Sequence, residues 1–151
     1  MALAVLLATT TFVGFSEVAD AAARNVTTFA GTGVSGHLDE TGGLAQFANP
    51  SDTAVDSMGN VFVSEYTGWI RKISPAGMVT TFAGDGTVGY QNGAGNQAKF
   101  TVLRGLDIDS FDNLYVADQD NHVIRKITPT GVAYRSAARH RWPFDPRWRC
   151  R

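Results

Sequence analysis

Short runs of β-branched and aromatic residues, broken by Gly, Pro, Asn and Asp, dominate the middle of this chain. Val61-Phe62-Val63-Ser64-Glu65 is one such run, with Val61 and Val63 on one face and Phe62 on the other. Similar runs at 53–56, 69–74 and 79–83 predict four short strands. The breaks carry turn chemistry. Gly59 stands where a tight hairpin needs positive φ, and the related stretch further on has Asp112, a residue type that tolerates that region. Ser74-Pro75-Ala76-Gly77 and Thr128-Pro129-Thr130-Gly131 place Pro second and Gly fourth, as a type I turn prefers.

The whole pattern is written twice. VTTFAG begins at Val26 and again at Val79, 53 residues on. AVDSMGNVFVSE from Ala54 corresponds to DIDSFDNLYVAD from Asp107, also 53 apart, and IRKI recurs at Ile70 and Ile124, 54 apart. A fixed period of this size marks a repeat architecture. Four-stranded antiparallel sheets repeated along a chain are blades of a β-propeller. The expected fold is therefore all-β, with two blades spanning 26–132: the first over 47–84, the second over 100–132 and lacking its last strand. The leading VTTFAG reads as one strand of a preceding unit.

Within IRKI, Ile70 and Ile73 are three apart and cannot share a face of a regular strand. Arg71 aligns with Trp69 and Ile73. Its stem is expected to pack between units with its head on a carboxylate, Asp56 or Glu65. The corresponding partners of Arg125 are Asp109 or Asp118.

These segments resemble NHL repeats. Phe47, Pro50, Val55, Asp56, Gly59, Asn60 and Phe62 carry the resemblance in the first copy. In the second it rests on Phe100, Gly105, Ile108, Asp109, Asn113, Tyr115, Ala117, Asp118, Asn121, His122, Ile124 and Lys126. Asp52 stands at the expected Gly and Leu103 at the expected Pro, and the first copy has no Asn-His pair. The resemblance implies propeller blades used as binding modules. It also implies two alternatives: a fragment of a metal-dependent lyase or lactonase, and an RNA-binding module.

Composition separates the termini from the body. Residues 135–151 carry six Arg against Asp145, a net of +5, whereas the rest carries seven basic and thirteen acidic residues, a net of −6. An acidic body opposes RNA binding. Arg interleaved with Trp142, Phe144 and Trp148 fits nucleic-acid stacking, but the abrupt change in composition favours a disordered tail over 133–151. Residues 2–15 are apolar, too short to span a bilayer, and followed by Ala19-Asp20-Ala21, which predicts a signal peptide over 1–23 and a secreted or periplasmic location. Asn25-Val26-Thr27 is an N-glycosylation sequon. Cys150, the single cysteine, cannot form an intramolecular disulfide.

Chemistry is sparse. Gly31, Gly33 and Gly36, like Gly84, Gly86 and Gly89, match GxGxxG, but no helix-forming stretch follows to meet a pyrophosphate. Asp107, Asp109 and Asp112 lack the spacing of a calcium loop. His37, His122 and His140 have no zinc spacing. No catalytic, cofactor-binding or metal-ligating set is assigned. A propeller closes with about four or more blades. Two blades thus predict a fragment of a larger propeller, a non-catalytic scaffold or binding module for a protein or carbohydrate partner. Open blade edges would favour self-association.

Overall fold

A computed structural model describes residues 26–135. The expected signal peptide, the sequon asparagine and the residues of the Arg-rich tail beyond Arg135 lie outside the described residues.

The fold is all-β, with two antiparallel sheets. The first contains β1 (Pro50–Val55), β2 (Val61–Glu65), β3 (Ile70–Ile73) and β4 (Val79–Ala83), in that order. The second contains β5 (Gly93–Ala94), β6 (Leu103–Ile108), β7 (Leu114–Asp118), β8 (Val123–Ile127) and β9 (Val132–Arg135), in the order β5-β9-β8-β7-β6. Two 3-10 turns, at Gly95–Gln97 and Gln119–Asn121, complete the regular structure.

Two expectations about strands are corrected. The second copy does have its fourth strand: β9 pairs with β8 through Lys126↔Tyr134 and Ile127↔Ala133. Strand pairing is a backbone ladder, so VAYR serves as well as VTTFAG provided one side of it can be buried. Ala133 does this, fully buried while Tyr134 is half-exposed. The tail reading must accordingly begin after Arg135. The leading VTTFAG, by contrast, is no strand: residues 26–29 are irregular, with Val26 fully exposed. Its sequence matches β4, but among the described residues no partner strand lies beside it.

The turns form as their residues require. Gly59 and Asp112 have φ of 81° and 59°. Gly77 and Gly131 have φ of 83° and 82°, and their N–H groups donate to Ser74 O and Thr128 O, both at 2.8 Å.

Packing follows the alternation. Phe62, Ile70 and Ala83 of the first sheet meet Leu103, Leu106, Leu114, Val116 and Ile127 of the second, with Phe100 from the connecting segment between them. The opposite face of the first sheet, Val63, Ile73 and Val79, is covered by Ala45 with Ala30 and Phe47. Ile70 and Ile73 thus belong to different clusters, as their spacing required. A register shift between Ile70 and Arg71 against β4 lets the two neighbours both be fully buried.

Candidate functional site

Each sheet is held to its Gly-rich segment by one buried arginine. Arg71 pairs with Glu65 at 2.9 Å and with Asp39, and donates to Gln46 O and Leu38 O. Arg125 pairs with Asp118 at 3.2 Å and donates to Lys99 O, Gln91 O and Asn92 Oδ1. Of the expected partners, Glu65 and Asp118 are correct. Asp56 and Asp109 are not: each accepts the N–H groups of its own hairpin turn, Met58 and Asn60 in one case, Phe111 and Asn113 in the other. Sequence reasoning missed the loop carbonyls, since a backbone acceptor leaves no residue-type signal. The residues that these arginines clamp, Leu38, Asp39 and Gln46 in one copy and Gln91, Asn92 and Lys99 in the other, lie just beyond the two GxGxxG runs. Isolated bridges such as Leu38↔Gln46 and Gln91↔Lys99 follow them, not a helix.

The clamp shapes local titration. Burial pushes the Glu65 carboxyl up, against the pull of Arg71. Burial and the positive charge of Arg71 lower His37, which stacks on Trp69 at 3.9 Å and shares a 3.0 Å bond with Thr81. At Asp56 and Asp109, burial acts upward, but the turn hydrogen bonds outweigh it and hold both below the ordinary carboxylate value. A depressed folded pKa stabilises above the unfolded value of about 3.9 and loses that contribution as pH falls through the folded value. Glu65 has the opposite sign and partly offsets the loss. Urea midpoints are therefore expected to fall below about pH 4, with a shallower fall in the Asp56→Asn/Asp109→Asn double variant.

An open cleft of about 470 Å³, with no charged side chain in its lining, lies between residues 28–35 and Phe47, Asn49 and Pro50; another, with charged lining, is the seam where β1 meets β6. Both strands are bulged there: pairing skips Ser51 between Pro50 and Asp52, and skips Arg104 and Gly105 between Leu103 and Leu106. Bulges re-aim side chains. The resulting open cleft, about 410 Å³, is lined by Asn49, Pro50, Ser51, Asp52, Tyr66, Arg104 and Gly105. Asn49, at φ 55°, turns the chain into β1 while its carbonyl accepts Tyr66 N–H at 3.0 Å. Val102 and Gln119 repeat that bond at 2.8 Å in the second sheet.

Much of the polar lining is committed to joining the sheets. Ser51 Oγ lies within bonding distance of Ser64 Oγ, Leu103 O and Arg104 O. Asp52 Oδ2 accepts Leu106 N–H at 2.7 Å and Oδ1 accepts Thr53 N–H at 2.8 Å. Arg104 is different. Its Nε donates to Gln119 Oε1 at 2.9 Å and its guanidinium lies 4.9 Å from the Tyr66 ring centroid. Ser51 and Arg104 are repeat-equivalent, as are Asp52 and Gly105, and Tyr66 and Gln119. The two copies thus differ at three of the positions that build the seam. The departure at Asp52 was the sequence signal of this. Arg104 was not singled out, because its place in a cleft depends on two bulges 53 residues apart.

No protein-family model and no curated protein matches the chain. Among solved structures, it is similar to a putative phosphatase from Bacteroides thetaiotaomicron, with TM-score 0.59 and 28% identity over 66% of this chain and 25% of that one. It is also similar to an auxiliary nutrient binding protein from the same organism, with TM-score 0.58 and 25% identity over 72% of this chain and 28% of that one. The chain therefore spans about a quarter of the length of each.

Proposed function

We propose that the chain provides two neighbouring blades of an NHL-type β-propeller and acts as a non-catalytic module that binds a small polar ligand, or a polar segment of a protein or carbohydrate partner, in the seam between them. The observation that carries this reading is the seam cleft. It is open, polar and bounded by both sheets, and it retains groups that the fold itself does not use. The repeated sheet and the NHL-like residues support the blade assignment. A nutrient binding protein among the similar structures is compatible with a binding role. The apolar stretch at 2–15 supports a secreted or periplasmic setting.

Hydrogen–deuterium exchange in the presence of neutral mono- and disaccharides and short peptides tests the reading. Slower exchange at 49–52, 66 and 103–106 with at least one probe is expected. No change there with any probe would overturn the binding site. Steady hydrolysis of p-nitrophenyl phosphate by the purified chain would overturn the non-catalytic assignment in favour of the chemistry named for the other similar structure.

A further inference from the structure

We infer that the seam cleft recognises a carboxylate, held by the guanidinium of Arg104, as the anionic group of its ligand; this rests on the binding reading above. The groups that line the cleft differ in what they have left to offer a ligand. Ser51 and Asp52 are spent on the junction between the sheets. Asp52 forms no ion pair with Arg104. Three groups have no hydrogen-bond partner among the described residues: the two Nη atoms of Arg104, the side-chain amide of Asn49 and the hydroxyl of Tyr66.

Arg104 is also aimed. Gln119 fixes Nε from one side, and the Tyr66 ring supports the guanidinium plane. Both contacts come from the same place in the two copies, so the two sheets hold this side chain jointly. A guanidinium oriented by its Nε and its face keeps its outer edge for a ligand. That edge offers parallel N–H donors, which match the two oxygens of a carboxylate. Holding the side chain beforehand removes part of the ordering cost of binding. Asn49 and Tyr66 then stand beside the anion as neutral donors or acceptors for hydroxyl or amide groups on the ligand body. The cleft volume suits a monosaccharide or a single amino-acid residue, near the lower end of ordinary ligand pockets.

The test is an NMR titration with two acids and their neutral counterparts: galacturonate against galactose, and N-acetylglycine against N-acetylglycinamide. The acids are expected to move the Arg104 Nε–Hε resonance and the amides of 49, 51, 52, 66, 104 and 105, and the neutral compounds to bind at least about tenfold more weakly, given the strength of charge-assisted pairs. Arg104→Gln should lower affinity for the acids about tenfold or more while leaving the rest of the spectrum in place. Arg104→Lys should fall between, because it keeps the charge but not the fork. Preference for galacturonate would assign the carboxylate to an acidic sugar. Preference for N-acetylglycine would assign it to a peptide or amino-acid terminus. Neutral compounds binding at the same residues as tightly as the acids would overturn the carboxylate and leave the binding reading standing. Acids that bind Arg104→Gln undiminished, or that leave the cleft resonances unmoved, would likewise overturn it.

Discussion

Replacing Arg125 by alanine lowers the folding stability by about 3–5 kcal/mol, the range for removing one partner of a buried ion pair. Arg125 is fully buried and its two Nη atoms make four bonds: to Asp118, Lys99 O, Gln91 O and Asn92. Its guanidinium also lies within 5 Å of the Tyr90 and Phe100 ring centroids. Truncation leaves a buried carboxylate at Asp118 without its cation, two loop carbonyls with only the backbone N–H of each other's residue as donor, and a gap between two rings. Asp118 keeps bonds from Thr101 and Asn121. Asp118→Asn, which preserves shape and most bonds, should therefore cost less than Arg125→Ala. Urea unfolding read by tryptophan fluorescence measures both. A loss under about 1 kcal/mol for Arg125→Ala would mean that the Gly-rich segment is held by something else.

Phe100→Ala should cost a similar 3–5 kcal/mol, by lost burial and the cavity left behind. Phe100 is fully buried in the cluster that joins the two sheets, and its ring lies beneath Arg125. Total stability of a domain this size is about 5–15 kcal/mol, so this variant is expected near the edge of folding at 37 °C. Phe47 is its repeat counterpart but only half-buried, over Arg71 at 5.2 Å. Phe47→Ala should cost clearly less. Equal losses at the two positions would contradict the asymmetry between the outer and the inner cluster.

How much of this was legible in the sequence depends on the range of the interaction. Strands β2 and β4 were read with their observed bounds, because period-2 alternation and the bounding turns are local. The opposite faces of Ile70 and Ile73 followed from spacing alone. Glu65 and Asp118 were each one of two plausible carboxylates. The rival pair, Asp56 and Asp109, is taken by turn amides, a competition that strand geometry cannot resolve without the turn. Strand β9 carries VAYR where its repeat counterpart has VTTFA, so the repeat does not announce it, whereas a ladder needs only backbone and one buriable side. The seam was visible only as a departure from the repeat at Asp52. Its cleft arises from two bulges, and its charged wall from a position that is serine in one copy and arginine in the other.

The proposed ligand site is the seam between β1 and β6. A crystal structure of the chain grown with galacturonate tests that most directly. The expected result is the sugar in the cleft between β1 and β6, its carboxylate paired with the outer edge of Arg104 and its body beside Asn49 and Tyr66. Sugar bound only elsewhere, with Arg104 in contact with solvent alone, would contradict it.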